Sequence, residues 1–315
     1  MTNKITEELS QPLLIDGAMS TALEQLGADT DNQLWTASVL AKQPELVKKV
    51  HQQYLAAGAR LLITDTYQAN VQAFVANGYS ERQAHQLIKR AVRLAREVRD
   101  EFEAETGIYN YVAGALGPYG AFLADGSEYT GDYHLSTQEY KEFHRPRLTD
   151  ILQVGVDVIA IETQPRLDEV LAELELAAEL APNVPCYVSF SLRDHATLAD
   201  GTPLTVAVKA VDRFSNVFAI GTNCIPLERV APAVELIHQV TNKPVIAYPN
   251  SSAVYNPQSK TWIYPHGHRS LASYLPQWLS AGLTIVGGCC TTTPQDIRLL
   301  HDRLTGHYEG VATHD

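Results

Sequence analysis

The stretch VIAIETQPRLDEVLAELELAAEL, residues 158–180, joins an apolar β-branched run to a segment with helical periodicity. The run VIAIE (158–162) is typical of a strand buried on both faces, and residues 167–180 repeat apolar side chains at helical spacing. Seven similar runs recur along the chain: LLID (13–16), LLIT (61–64), YVAGA (111–115), CYVSFS (186–191), VFAIG (217–221), PVIAY (244–248) and TIVGG (284–288). Amphipathic segments lie between them, for example 44–59, 80–105 and 226–240. Eight strand and helix units in 315 residues predict an α/β fold, the (β/α)8 TIM barrel.

We expect a single domain over residues 1–315, structured from about residue 10 to 305 with short tails at both ends. A doubly wound open sheet is the competing fold. No G-x-G-x-x-G follows the first run and no P-loop is present, so the ligand motifs that usually accompany that fold are missing.

The net charge and the hydropathy of the chain indicate which kinds of ligand and partner it is expected to bind. The net charge of -12 is spread through the helical segments, which disfavours nucleic acid and favours cationic or zwitterionic small ligands. No run approaches the roughly 18 to 20 apolar residues of a membrane span, and the N-terminal stretch does not resemble a signal peptide. We therefore predict a cytoplasmic protein without membrane contact and, because no apolar helix face stands out, a monomer.

The chain has four cysteines, too few for a disulfide scaffold, and three of them follow predicted strands. Cys224 follows the sixth run, and Cys289 and Cys290 follow the eighth. Chemistry in such barrels lies at the carboxyl ends of the strands, so these thiols are expected on one rim. Zinc accepts thiolates, and a catalytic zinc typically has three protein ligands and one open position. Gly287 and Gly288 are expected to supply the conformational freedom that lets adjacent cysteines reach one ion.

Simpler interpretations of the cysteines remain open. Free cysteine often packs as a small apolar residue, and this suits Cys186, which begins a strand at the other end of the barrel. A dithiol redox pair is the second alternative, although adjacent cysteines form a strained ring on oxidation and the C-x-x-C spacing is absent.

Other polar residues also follow the predicted strands. Asp16 and Glu162 are carboxylates at strand ends, where function is more common than a structural ion pair. Asn223 and Asn250 lie where an amide could hydrogen-bond a thiolate or nearby backbone, or simply form a turn. The motif His266-Gly267-His268 has metal-site spacing but lies in a polar loop, so we interpret it as solvated.

Several motifs together resemble the homocysteine S-methyltransferase family over nearly the whole chain. They are D-G-A-M-S-T (16–21), G-P-Y-G (117–120), E-T (162–163), N-C (223–224) and G-G-C-C (287–290). Four further stretches resemble the bacterial branch that uses S-methylmethionine: DGSEYTGDYH (125–134), FHRPR (143–147), YPNS (248–251) and SKTW (259–262).

The resemblance implies a zinc-dependent barrel with one Zn²⁺ held by Cys224, Cys289 and Cys290. It also implies that Asp16, Gly17 and Glu162, with Thr163 beside it, contact the amino acid part of homocysteine. No cobalamin-type D-x-H-x-x-G stretch is present, so the methyl donor is expected to be a free small molecule.

The expected reaction joins L-homocysteine thiolate to a methyl group from a cationic donor and yields L-methionine. A thiol is only slightly ionised at neutral pH, so zinc would supply the ionisation. We predict that no residue acts as a general acid or base. Aromatic faces and carboxylates suit a cationic donor, and the candidates in loops near the rim are Tyr119, Glu128, Tyr129 and Trp262, with ordinary packing as the alternative.

Two other functions remain as alternatives: a barrel metallohydrolase and a non-catalytic zinc or thiol sensor. Three thiolates would raise the pKa of a metal-bound water, which disfavours the hydrolase. A sensor function would assign no role to Asp16 and Glu162. The sequence leaves open whether the donor is S-methylmethionine, S-adenosylmethionine or a betaine.

Overall fold

The strands form a parallel barrel with a small hairpin beside it. A computed structural model describes residues 4–251, 254–256, 261–263 and 270–307. Eight parallel strands follow the order β1-β10-β7-β6-β5-β4-β3-β2, and β8 and β9 pair with each other in an antiparallel hairpin. The strands are β1 (Leu13–Leu14), β2 (Leu61–Ile63), β3 (Tyr111–Leu116), β4 (Val158–Gln164), β5 (Cys186–Phe190), β6 (Val217–Asn223), β7 (Val245–Tyr248), β8 (Val254–Asn256), β9 (Thr261–Ile263) and β10 (Ile285–Val286).

The barrel closes between β1 and β2. A parallel bridge joins Ile15 to Leu61, and the backbone N–H of Asp16 donates to the Leu61 carbonyl at 3.1 Å. The N–H of Arg60 donates to the Leu14 carbonyl at 2.7 Å. All eight predicted strands are therefore present, and the predicted TIM barrel is confirmed.

Helices follow the strands and cover the outside of the barrel. Long helices begin where the side chain of Ser80, Ser136 or Thr293 caps the first turn. Their bounds are α1 (Lys4–Glu8), α2 (Met19–Gln25), α3 (Ala37–Lys42), α4 (Pro44–Ala56), α5 (Val71–Ala76), α6 (Glu81–Thr106), α7 (Tyr119–Leu123), α8 (Thr137–Val154), α9 (Leu167–Leu180), α10 (Leu204–Asp212), α11 (Val230–His238), α12 (Leu271–Ser280) and α13 (Pro294–Leu304).

One predicted helix is shorter than expected. The segment predicted at 226–240 begins with a 3-10 turn at Leu227–Arg229, and α11 starts only at Val230. Pro232 then falls in the first turn of α11, where a backbone N–H has no partner within the helix and its loss costs nothing.

Two apolar cores hold the barrel. The larger core lies between the sheet and the helices, and the smaller one includes side chains from all eight strands, such as Ile15, Tyr111, Ala160 and Tyr187. Ile5 of α1 belongs to this smaller core and is fully buried, so ordered structure begins before residue 10. In the described part of the chain, no helix is both long and apolar enough to span a bilayer.

Candidate metal centre

Three cysteine sulfurs meet at the carboxyl ends of β6 and β10. The Sγ atoms of Cys224, Cys289 and Cys290 all lie within 4.8 Å of one another. The Sγ of Cys224 is 2.8 Å from that of Cys289 and 3.3 Å from that of Cys290. Cys186 is fully buried at the start of β5 and lies outside this cluster, as the sequence indicated.

Backbone geometry turns Cys224 toward the other two cysteines. Cys224 has a left-handed backbone, with φ of 54°, directly after β6. Its N–H donates to the Tyr248 carbonyl at 3.1 Å, and its own carbonyl accepts from Nδ2 of Asn250 at 3.1 Å. Asn250 therefore supports the backbone of one cysteine and does not contact a sulfur.

The two glycines before Cys289 are required for space and not for unusual dihedral angles. A Cβ on Gly287 would lie 2.3 Å from Cγ1 of Ile15, and a Cβ on Gly288 would lie 2.4 Å from Oγ1 of Thr292. Neither glycine is among the residues with positive φ. The prediction that these glycines supply conformational freedom is therefore wrong, since they instead allow the turn to pack closely against Ile15 and Thr292.

Asn223 connects the cysteine cluster to β4. Its Nδ2 donates to Oγ1 of Thr163 at 2.7 Å and lies 3.7 Å from Sγ of Cys289. Its Oδ1 accepts from the Thr163 N–H at 2.9 Å and from Oγ of Ser189 at 2.9 Å. The amide is saturated with partners, so its orientation beside Cys289 is fixed.

The donor set suits a thiophilic dication. The pKa of the Cys290 thiol lies well below its usual range because Cys224 and Cys289 hydrogen-bond to its sulfur. The pKa of Cys289 lies well above its usual range because of the contacts with Cys224 and Cys290 and because of burial. A bound cation would stabilise the additional thiolates that these contacts disfavour. Zinc and sulfur lie about 2.3 Å apart, which puts tetrahedral ligands about 3.8 Å from each other, so a small separation of the sulfurs would fit zinc.

The cysteines line a cavity of about 100 Å³ at the rim of the barrel. Besides the three cysteines, its lining comprises Gly17, Ala18, Met19, Ser20, Trp35, Thr36, Ile63, Thr64, Asp65, Tyr67, Tyr129, Glu162, Thr163, Asn223, Tyr248 and Gly288. The structure thus brings Gly17, Glu162, Thr163 and Tyr129, four of the predicted substrate contacts, into one cavity with the thiols.

Glu162 is a buried carboxylate in the cavity wall. Its Oε2 accepts from the Tyr248 hydroxyl at 3.0 Å, and that hydroxyl lies 2.5 Å from Oγ of Ser189. Burial raises the pKa of Glu162 to about 7, against the opposing effect of the Tyr248 hydrogen bond. Glu162 is therefore poised to gain a negative charge near neutral pH, which a cationic group would stabilise.

Asp16 lies just behind the cavity wall. It is 2% exposed, and its Oδ2 accepts from the Ile63 N–H at 2.8 Å, which links β1 to β2. Burial raises the pKa of Asp16 well above its usual range. Its neighbour Gly17 does line the cavity, and a Cβ there would lie 2.8 Å from Oγ1 of Thr292.

A short 3-10 turn, Ser127–Tyr129, brings two of the predicted donor contacts to the rim. The hydroxyl of Tyr129 lies 3.7 Å from Sγ of Cys224, although 47% of the residue is exposed to solvent. Glu128 is half-buried, and burial raises its pKa. Its Oε2 is buried without a hydrogen-bond partner among the described residues.

The other predicted donor contacts lie elsewhere. The ring of Tyr119 packs against Phe122, Tyr133 and Phe143, and this residue is not part of the cavity lining. The backbone of Trp262 is in β9, but its side chain lies outside the described residues. The motif at 266–268 also lies outside them.

One side of the cavity is lined by residues that the sequence did not predict. Met19, Trp35, Thr36, Asp65 and Tyr67 all line it, and the rings of Trp35 and Tyr67 meet edge to face at 6.2 Å between centroids. The position of Asp65 after the second predicted strand was a usable signal. Trp35 does not directly follow a strand, so no pattern in the sequence indicated its position in the cavity.

Fold and site together define a TIM-barrel enzyme with a candidate three-cysteine metal centre. The family model for homocysteine S-methyltransferases matches residues 13–304, and the chain belongs to this family of methyltransferases. The resemblance seen in the sequence motifs is therefore confirmed, as is the expectation of a methyltransferase.

Individual relatives match over almost their whole length. The homocysteine S-methyltransferase of Escherichia coli strain K12 is 46% identical over 295 residues, covering 92% of this chain and 94% of the relative. Homocysteine S-methyltransferase YbgG of Bacillus subtilis is 41% identical, covering 91% and 92%. The metallated crystal structure of the homocysteine methyltransferase MmuM from E. coli superposes with a TM-score of 0.86 at 42% identity, covering 95% of this chain and 98% of that one.

Proposed function

We propose that this chain transfers a methyl group from S-methylmethionine to L-homocysteine in a zinc-dependent reaction that forms L-methionine. The observation that carries this proposal is the cluster of three cysteine sulfurs within 4.8 Å in the lining of an acidic and aromatic cavity. The names of the bacterial relatives support homocysteine as the acceptor. S-adenosylmethionine is a second donor of the same sulfonium class.

One Zn²⁺ per chain would be held by Cys224, Cys289 and Cys290. When bound, it would supply ionisation of the homocysteine thiol and hold the substrate sulfur in the remaining ligand position. Asn223 keeps Cys289 oriented through its contact at 3.7 Å, and Asn250 fixes the backbone of Cys224.

The amino acid end of homocysteine would bind along β1 and β4. The Glu162 carboxylate accepts the substrate ammonium, and Tyr248 holds that carboxylate at 3.0 Å. Gly17 lines the cavity, and because it has no Cβ the wall packs closely against Tyr54 and Thr292 at this point. Asp16 lies behind this wall, and its Oδ1 is buried without a hydrogen-bond partner among the described residues. Burial favours its neutral form, and an ammonium group nearby would favour its ionisation.

The cavity residues position the methyl donor for in-line transfer. Trp35, Tyr67 and Tyr129 offer aromatic faces to the sulfonium and exclude water from it. The homocysteine sulfur gives its electron pair to the methyl carbon, the bond to the sulfonium sulfur breaks, and that pair remains on the donor. The thiol proton leaves to solvent, so these residues need only orient and desolvate the reactants.

We further propose that the chain works as one domain, residues 1–315, as a cytoplasmic monomer on small molecules alone, without nucleic acid or membrane. Its products place it in the formation of methionine from homocysteine. The spread of negative charge, -12 over the chain, supports zwitterionic and cationic substrates.

The test is methionine formation from homocysteine with S-methylmethionine, S-adenosylmethionine and glycine betaine in turn. Each reaction is run with zinc-loaded protein and with protein stripped by a chelator, and methionine is quantified by mass spectrometry. We expect zinc-dependent turnover, fastest with S-methylmethionine. Metal binding without turnover of any donor would favour the sensor, and ester or amide hydrolysis would favour the metallohydrolase.

A further inference from the structure

The side of the cavity opposite the cysteines is acidic. The reaction proposed above assigns no role to this side. In the strand order of the barrel, β2 lies four strands from β6, so their carboxyl ends face each other across the rim. Cys224 follows β6, and Asp65 follows β2. A ligand that spans the cavity would therefore contact thiols at one end and a carboxylate at the other.

Asp65 has an incomplete set of hydrogen bonds. It is 4% exposed and lines the cavity. Its Oδ1 accepts from Oγ1 of Thr36 at 2.6 Å, while Oδ2 is buried and has no hydrogen-bond partner among the described residues. An unpaired buried carboxylate oxygen is costly, and a ligand group that donates a hydrogen bond to it would remove that cost.

No protein cation balances Asp65 within the cavity, whose lining in the described residues contains no Lys, Arg or His. Burial raises the pKa of Asp65 to about 6, against the opposing hydrogen bond from Thr36. The carboxyl group is thus still largely ionised near pH 7. An incoming cation would find a negative charge that is already desolvated.

The residues beside Asp65 are held in place. Thr36, which orients the carboxylate, follows Trp35, whose backbone is left-handed with φ of 49°. A bulky residue is rarely in this conformation, and such strain is found mainly where the surrounding structure needs it. The strained turn puts Trp35 in the cavity lining beside Thr36 and Asp65.

We propose that Asp65 determines donor specificity by binding the α-ammonium group of the methyl donor, so that amino acid sulfonium donors are preferred over donors without an amino group. The inference rests on the proposed methyl transfer and deepens it.

The ammonium group fits Asp65 better than the sulfonium does. An ammonium has three N–H donors, and Oδ2 lacks a donor, whereas a sulfonium has no hydrogen to donate. The methyl group must also lie close to the cysteine cluster for transfer. The part of the donor that reaches β2 is then its amino acid end.

The test compares two ligands that differ only in the amino group: S-methylmethionine and its desamino analogue, (3-carboxypropyl)dimethylsulfonium. Binding of each to the zinc-loaded full-length chain is measured by calorimetry, and kcat/KM is measured with homocysteine held constant. We expect Asp65→Asn to weaken S-methylmethionine binding about 10- to 100-fold, the usual effect of losing a hydrogen bond between charged groups. The loss with the desamino analogue should be far smaller.

Control variants separate this role from a structural one. Asp150→Asn removes an equally buried carboxylate that pairs with His85 and Lys89 on the outside of the barrel, and it should bind both ligands like the wild type. Thr36→Val keeps the charge but removes its orienting hydrogen bond, and it should show the same ligand preference with a smaller loss. Thermal melting checks that each variant is folded.

Either of two results would overturn the inference: equal losses for both ligands in Asp65→Asn, or no loss for S-methylmethionine. Binding is measured without turnover, so the inference is decided even if no methionine forms. Failure of the methyl transfer and failure of the Asp65 assignment are therefore distinguishable.

Discussion

At the scale of single residues, the site depends on strained backbone. Five residues other than glycine have positive φ in the described part of the chain, and four of them lie at or beside the cavity: Trp35, Thr163, Cys224 and Thr291. Each such residue costs about 1 to 3 kcal/mol, which the packing around it must offset. Hydrogen bonds do this for Thr163, which is bonded to Asn223 through both its N–H and its hydroxyl.

Removal of one sulfur should abolish the metal centre. We expect Cys224→Ser, Cys289→Ser and Cys290→Ser each to reduce bound zinc from about one per chain to a small fraction, because two thiolates form an incomplete site. Zinc is measured by atomic absorption after dialysis, and methionine formation should fall in parallel. Cys186→Ala is the matched control, since this buried thiol lies outside the cluster. Full zinc content in any of the three serine variants would contradict the assignment.

Glu162 should make homocysteine binding depend on pH. Its pKa of about 7 lies above the usual value, so the carboxylate form that binds an ammonium increases from about one tenth at pH 6 to about nine tenths at pH 8. Over this interval the KM for homocysteine should fall about tenfold more in the wild type than in Glu162→Gln. Ionisation of the substrate thiol affects both proteins alike, so the ratio of their KM values isolates Glu162. A constant ratio would exclude this role.

At the scale of elements, α8 and α9 support the cavity from outside through a buried polar chain. Glu169 of α9 accepts from Nε2 of His144 at 2.8 Å, from the Tyr119 N–H at 2.6 Å and from the Tyr133 hydroxyl at 2.5 Å. Nδ1 of His144 accepts from Arg147 at 2.8 Å, so this histidine is neutral. Burial lowers its pKa, in agreement with that state.

The same chain reaches the cavity wall. Arg147 donates to the carbonyl of Tyr67 at 2.6 Å and to that of Gly117 at 2.6 Å, at the ends of β2 and β3. Tyr133 belongs to the segment that also carries Glu128 and Tyr129. Glu169 therefore couples the helix pair to both the Tyr67 wall and the Tyr129 turn.

Glu169→Gln should destabilise the protein by about 2 kcal/mol, because the amide NH2 group cannot accept a hydrogen bond and would face at least one of the three donors that now point at the carboxylate. The free energy of unfolding is measured in urea, and the KM for the methyl donor should rise as Tyr67 and Tyr129 lose support. Glu179→Gln is the control on the same helix pair, since Glu179 pairs with Arg145 in an exposed ion pair. Equal unfolding midpoints for both variants would contradict the role of the buried chain.

At the scale of the whole molecule, the cysteine cluster links distant parts of the chain. Cys224 and Cys289 are 65 positions apart and come from different strand and helix units. A ligand that binds only the folded state stabilises it by about 4 kcal/mol at 1,000 times its Kd. Zinc bound here would therefore stabilise the closed barrel as well as activate a substrate.

Zinc removal should lower the melting temperature by several degrees, in proportion to the binding energy lost. Scanning calorimetry with and without chelator measures this shift, under reducing conditions that keep the thiols free. Cys290→Ser should melt at the same temperature in both conditions. A chelator effect that persists in this variant would show that the metal acts elsewhere on the molecule.

The part of the site that could be predicted from the sequence is the part that follows strands. Cys224, Cys289 and Glu162 could be placed because parallel strands in a barrel bring their carboxyl ends to one rim. Tyr119 was expected at the donor, but its ring packs in an aromatic cluster with Phe122 and Phe143. Trp35 was missed because a short strained turn, and no periodic pattern, puts it in the cavity.

The sequence by itself determined the barrel, because strand and helix periodicity repeats along the chain and each unit carries its own local signal. It also determined which thiols can meet, because the alternation of strands with helices and the number of strands set the position of each thiol on the rim of the barrel. Only the tertiary structure decided that Gly287 and Gly288 serve close packing, that Oδ2 of Asp65 is buried without a partner among the described residues, and that Glu169 supports two walls of the cavity. These properties depend on distances between residues far apart in the chain, and no local pattern encodes them.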